Sequence, residues 1–230
     1  MTGTVIEKDS IDFLAELANN NNREWFNKQK DRYIEAHGNI IAFADALIAE
    51  MNKHDHIETK TGKESVFRIY KDVRFSKDKT PYNVHWSGTL KRATKKLRGG
   101  YYFRFEPGKS FLAGGFFGPD TNDMKRIRED IAINYEAWRN VLTDRALVDT
   151  FGKMIGEQLG SAPRGYPKDH PAIDLLRYKQ FLFRYDLTDN EVCSADFTSK
   201  ASGIFGHMRP FFDFMSEILT TDANGIPLDI

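Results

Sequence analysis

Residues 67–75 read Phe67-Arg68-Ile69-Tyr70-Lys71-Asp72-Val73-Arg74-Phe75, and the fold turns on how this stretch is read. Apolar and polar side chains alternate along it. Successive side chains of a strand point to opposite faces. A strand here sends Phe67, Ile69, Val73 and Phe75 one way, interrupted by Lys71, and Arg68, Tyr70, Asp72 and Arg74 the other. Ser76–Pro81 is a turn-like connection, and Val84–Leu90 is a second strand candidate. Gly100–Glu106 and Phe111–Phe117 flank Pro107-Gly108, the signature of a hairpin. The middle of the chain is therefore predicted to be an antiparallel sheet.

Helical patterns lie on both sides of that sheet. Ser10 is placed to cap a helix through Ile11, Phe13, Leu14 and Leu17. The asparagines 19–22 break it. Asn22 then caps a second helix, with Trp25, Phe26, Tyr33 and Ile34 at helical spacing, and a third follows at Ile40–Met51. Pro119-Asp120 opens a helix carrying Met124, Ile127 and Ile131, with another near Tyr135–Leu142. Residues 146–160 are helical or mixed, and Pro163–Pro171 is a loop with three prolines. Leu175–Tyr185 is a short helix followed by a strand. Ala195–Leu219 is helical, with Pro210 as a break or kink. Clustered strands between clustered helices predict an α+β fold, with a central, mostly antiparallel sheet flanked by N- and C-terminal helices. No repeat or low-complexity linker divides residues 1–230, so a single domain is expected.

Composition narrows the class. The chain is 40% hydrophobic with 18 phenylalanines, which predicts an aromatic-rich core. No apolar run has the length of a membrane span, and the first residues lack the apolar segment of a signal peptide. Cys193 is the only cysteine, which rules out an intramolecular disulfide and a zinc–cysteine cluster. A cytoplasmic protein without a membrane partner is expected. The net charge of zero hides an uneven spread: residues 63–98 hold eleven Lys/Arg against three Asp/Glu, and residues 163–184 hold five against two. Two readings follow. Basic patches attract anionic partners, or the acidic ends fold over and neutralise them.

Chemistry-bearing side chains concentrate in the first basic segment. On the strand reading Asp72 sits between the guanidinium groups of Arg68 and Arg74, an array that holds arginine forks for a carboxylate or phosphate. Lys79 adds charge, Tyr82 a hydrogen-bond donor, and Asp78 a carboxylate able to move a proton. In the proline-bounded loop, Arg164 and Lys168 extend the anion contacts, and His170 is the leading acid–base candidate because imidazole titrates near neutrality. Each has a plainer reading: Arg–Asp pairs brace strands, and His170 with Asp169 satisfies turn backbone. Gly114-Gly115-Phe-Phe-Gly118 matches no nucleotide-binding motif, and His54 and His56 lack metal-ligand spacing, so neither cofactor nor metal is predicted. Residues 91–102, cations followed by Tyr101 and Tyr102, suit nucleic acid or equally a charged sheet edge.

The motif also carries a resemblance. Arg68, Lys71, Asp72, Arg74, Phe75, Asp78, Lys79 and Tyr82 resemble the R-x-x-R-D-x-R-F, three spacers, D/N-K, two spacers, Y signature of the bacterial domain-of-unknown-function family 2461. Pro163–Pro171 with Leu175, Leu176, Arg177 and Lys179 looks like a second family feature. Lys71 stands where the pattern has its second arginine. It keeps the charge and loses the planar fork, which moves the expected anion contact to Arg68 and Arg74. The resemblance implies a folded bacterial domain and no particular activity. Three readings of function stand: an enzyme acting on a phosphate- or carboxylate-bearing substrate, a non-catalytic module for nucleic acid or an acidic partner, and a structural ion-pair network.

Overall fold

The computed structural model describes residues 4–93, 96–222 and 225–228. Its helices are α1 (Lys8–Asn19), α2 (Arg23–Lys28), α3 (Lys30–Met51), α4 (Gly62–Ser65), α5 (Thr121–Leu142), α6 (Arg145–Phe151), α7 (Ile173–Leu176), α8 (Asp189–Val192), α9 (Phe197–Gly206) and α10 (Arg209–Thr220). The strands are β1 (Trp86–Lys91), β2 (Gly100–Phe105), β3 (Ser110–Phe116) and β4 (Phe181–Leu187), forming one antiparallel sheet in the order β1-β2-β3-β4. The fold is α+β, with helices flanking the sheet. The chain divides into two compact units, the first made of residues 1–90, 102–112 and 186–203, the second of residues 91–101, 113–185 and 204–230.

In the first unit, aromatic side chains fill the core. Phe43 packs against Phe103, Phe105 and Phe197, while Phe13 stacks on Trp86. Such pairs contribute roughly 0.5–1.5 kcal/mol each beyond their buried area. Helix α1 starts two residues before the expected cap. Ser10 lies inside its first turn and donates to Asn39 Oδ1 at 3.1 Å. Asn39, on α3, also accepts from Glu7 N–H and donates to Val5 carbonyl, so a side chain from another helix fastens the start of α1, which has no side-chain cap. Asn22 caps α2 as predicted, accepting from Trp25 N–H at 3.0 Å. Tyr33 and Ile34 belong to α3, which runs unbroken from Lys30; Tyr33 is buried and Ile34 is exposed.

The segment 67–75 is not the strand that its alternation predicts. Only Ile69 is buried among its four apolar residues that alternate with the charges; Phe67 is half-exposed and Phe75 is 96% exposed. The backbone pairs with residues 81–83 at one isolated bridge, Tyr70 with Tyr82. Lys71 N–H donates to Pro81 carbonyl at 2.9 Å and Asn83 N–H to Ile69 carbonyl at 2.7 Å. A further bond, Phe67 N–H to Ser87 carbonyl, ties the entering limb to β1. Residues 72–80 make an excursion without ladder partners, forming the tip of a hairpin arm.

In the second unit, α5 and α10 pack around Trp138, Phe181, Phe183 and Phe211. Asp120 caps α5, accepting from Asn122 and Asp123 N–H. The two helical stretches predicted on either side of residue 134 are both present in α5, meeting at a kink where Asn134 leaves helical geometry (φ −113°, ψ 28°). Asp130 spans the kink by accepting from Asn134 Nδ2 and Trp138 Nε1. The predicted break falls between α9 and α10, and Pro210 stands in the first turn of α10, where its missing N–H leaves no bond unmade. Gly115 has φ +139°, and a Cβ there would lie 2.0 Å from Phe181 carbonyl oxygen. Gly115→Ala is therefore expected to destabilise the protein by about 3 kcal/mol through backbone strain and steric overlap. The urea midpoint should fall with the slope unchanged; an unchanged midpoint would contradict this close approach.

Candidate functional site

The arm that carries the signature lies wholly within the first unit. Its base is held by aromatic rings and one amide. Tyr82 is buried and stacks on Phe26, with centroids 4.0 Å apart and planes 14° from parallel. Asn21 takes both backbone groups of Tyr82, donating Nδ2 to its carbonyl at 2.9 Å and accepting its N–H at 3.2 Å. Tyr70 meets the edges of Phe26 and Tyr82. Lys30 Nζ donates to the Tyr70 hydroxyl at 3.1 Å and lies 4.8–5.7 Å from the ring centres of Phe26, Tyr33 and Tyr70. Cation–π attraction thus fixes the charged amine beside the root of the arm. Burial, with the nearby Tyr70, raises the Tyr82 phenol, which stays neutral at ordinary pH.

Beyond the root, the excursion is braced by its own charges. Lys71 Nζ reaches Asp78 Oδ2 and Thr80 Oγ1, each at 2.9 Å. Thr80 donates its N–H to Asp78 Oδ1 at 2.9 Å, and its hydroxyl lies 2.8 Å from the same carboxylate. The Thr80 N–H, then Lys71 and the Thr80 hydroxyl, hold the Asp78 carboxyl down to about 2. Asp72 receives Arg74 Nε at 3.0 Å and Nη2 at 2.6 Å, and these bonds lower its pKa too. Lys79 Nζ donates to Val73 carbonyl at 3.0 Å. Only half of the expected Arg–Asp–Arg array therefore forms. Arg68 influences Asp72 by its charge and makes no hydrogen bond or ion pair among the described residues, and the same holds for exposed Lys77 as regards bonds and pairs.

The loop of residues 163–171 belongs to the second unit. Arg164 and Lys168 are exposed on it. His170 Nδ1 accepts from Ala172 N–H at 3.0 Å, and its ring meets the edge of Tyr135. That is the turn-satisfying arrangement, and it occupies one of the two imidazole nitrogens. Arg139, pairing with Asp174 and bonding Pro171 carbonyl, fastens the end of the loop. The basic run 91–102 offers little free charge. Arg92 is fully buried and bonded to Asp213, Arg98 is paired with Asp123, and Tyr101 packs against Phe205 and Phe212. Thr94 and Lys95 of that run lie outside the described residues.

Two further features escaped the sequence reading. His85, just before β1, is pushed down to about 4, first by burial and then by Arg104, against the opposing charge of Glu106; Lys71 adds to the push. It is a neutral imidazole at physiological pH. A cleft of about 470 Å³ in the second unit is lined by Arg98, Asp123, Lys125, Arg126 and Glu129, with Asp120 at the α5 cap. Arg98 is neutralised by Asp123, and Lys125 lies 3.8 Å from Glu129, so its lining is of mixed sign. No group of three metal-ligating side chains occurs among the described residues, where His54 instead bonds Ser202 at 2.9 Å. No described helix is long and apolar enough to cross a membrane.

Residues 9–214 match the model of a family described as conserved hypothetical protein (DUF2461). The chain belongs to the DUF2461 family. The match takes in the whole arm and the 163–171 loop. No curated protein and no solved structure matches the chain. In this DUF2461 member the lysine at the second arginine position of the signature is the brace of the arm. Its single charge serves two oxygens of different residues, a task that needs no guanidinium fork.

The depressed Asp78 fixes the sign of the arm's pH response. The brace is complete above the ordinary aspartate value of about 4 and is lost as pH falls through the folded value of about 2. Lys71→Met removes one of the donors. It is expected to raise the Asp78 titration, followed by carboxyl-carbon NMR, while the remaining Thr80 bonds keep it below the ordinary value. An unmoved titration would mean that Lys71 does not brace Asp78.

Proposed function

We propose that this protein binds an anionic, phosphate- or carboxylate-bearing ligand on the arm of residues 67–82, without transforming it. The observation that carries this reading is the asymmetry of pairing there. The segment holds Arg68, Lys71, Arg74, Lys77 and Lys79 against Asp72 and Asp78. Both carboxylates are satisfied inside the arm, Asp72 by Arg74 and Asp78 by Lys71 and Thr80. Arg68 and Lys77 keep their charge exposed with no hydrogen bond or ion pair among the described residues, Arg68 acting on Asp72 only through its charge, and Lys79 meets only a carbonyl. A guanidinium and two ammonium groups carried on one arm suit an oxyanion ligand.

Binding is favoured over catalysis by the state of Asp78. A carboxylate held at about 2, with its oxygens taken by Lys71 and Thr80, is a weak base at neutral pH. The braces of the arm are formed by Lys71 and Arg74, and Arg68 and Lys77 stand outside them without a hydrogen bond or ion pair among the described residues.

Calorimetric titration with inorganic pyrophosphate tests the reading. Arg68→Ala combined with Lys77→Ala is expected to weaken binding about tenfold, or about 1.4 kcal/mol. The unfolding free energy should hold within about 0.5 kcal/mol, as for surface changes that break no contact. Equal affinity in the wild type and the double variant, or no binding by either, contradicts the proposal.

A further inference from the structure

The exposed rings between the cations of the arm indicate what kind of anion it holds. We infer that the arm's ligand is a single-stranded nucleic acid, with the bases stacking on the arm's aromatic side chains and the phosphates meeting its cations. This rests on the anion-binding reading above and narrows it. Three large apolar side chains of the segment are exposed: Phe67 at 46%, Tyr70 at 44% and Phe75 at 96%. All three are aromatic, while the aliphatic Ile69 is buried and Val73 is half-buried. A bilayer makes no such distinction between rings and aliphatic chains, whereas a base needs a flat partner. Phe75 has Arg74 on one side, its guanidinium 6.0 Å from the ring centre, and Lys77 two residues on. Phe67 directly precedes Arg68. Rings interspersed with cations along one arm are what a sequence-tolerant single-strand site requires.

The geometry of the arm agrees with that partner. Tyr70 is fixed at the root by Lys30, which holds its hydroxyl, so the half-exposed ring is offered in one orientation. Residues 72–80 carry no ladder partner, and their backbone leaves the tip ring, Phe75, clear of the body of the unit. Fully paired duplex keeps its bases stacked inside the helix, out of reach of such rings. A small oxyanion would use the cations and leave the rings idle.

The test is fluorescence anisotropy with a labelled oligothymidylate of about twelve nucleotides, within the usual range of single-strand sites. Competitors are the same length of abasic oligomer, a duplex, inorganic pyrophosphate, and phosphatidylglycerol vesicles. The inference expects the oligothymidylate to bind more tightly than each competitor. With Arg68, Lys77 and Lys79 meeting phosphates, the slope of log affinity against log salt should be about −2. Phe75→Ala should weaken oligothymidylate binding about tenfold and leave pyrophosphate affinity and melting temperature as they were, because Phe75 is almost wholly exposed. The inference is overturned if abasic oligomer, duplex or vesicles bind as well as the oligothymidylate, or if Phe75→Ala binds it like the wild type. Pyrophosphate binding with no preference for the oligothymidylate defeats this inference alone. Absence of binding to every anion defeats the underlying reading as well.

Discussion

Tyr82 lies flat on Phe26 at 4.0 Å, and Asn21 takes both of its backbone groups. These contacts fix the returning limb of the arm against the start of α2, more than fifty residues earlier in the sequence. The bridge to Tyr70 then sets the outgoing limb, and Lys30 holds the Tyr70 hydroxyl. Each link uses the one before it. Without the ring stack the pairing of residues 69–71 with 81–83 has no support beyond a few backbone bonds. A nine-residue excursion on so short a ladder would lose its conformation to chain entropy. Aromatic packing at the root is what allows so charged a segment to hold a shape.

Charge at the tip follows from a second economy. The two carboxylates are near enough in sequence to cations for local pairing: Asp72 to Arg74, Asp78 to Lys71 across the excursion. Exposed pairs of this kind contribute little to global stability. Their consequence lies elsewhere, in leaving Arg68 and Lys77 unmatched. The later part of the same basic segment, beyond residue 90, shows the opposite outcome. There Asp213 and Asp123, from distant parts of the sequence, meet Arg92 and Arg98. One half of the sequence's charge dilemma is thus resolved by neutralisation and the other half by display.

Much of the fold was legible in the residues themselves. Asn22 and Asp120 cap where they were expected to, since a short polar side chain before an apolar period has one local use. Pro107-Gly108 marked the β2–β3 hairpin because Gly108 takes φ +69°. The reading of residues 67–75 as a strand failed for a physical reason. Alternation shows which side chains diverge, and it cannot show whether a partner strand exists to pair with the backbone. Phe67 and Phe75 imitated core residues while facing solvent. Ser10 and Lys30 were misplaced or missed because their partners, Asn39 and Tyr70, stand 29 and 40 residues away. Of the predicted site, the cation cluster was legible, but which cations remain free depends on pairings that no spacing rule reveals. His170, chosen for its titration range, is engaged with the backbone of its own turn.

The central claim is that the arm's unmatched cations form an anion site. Two-dimensional NMR of backbone amides, arginine Nε–H and lysine Nζ groups during titration with pyrophosphate tests it most directly. The account predicts saturable shifts at Arg68, Lys77 and Lys79 and at the amides of residues 72–80, with those of Arg92 and Arg98 unmoved. Shifts centred on Arg126 and the cleft of the second unit, or on Arg164 and Lys168, or none at all, would contradict it.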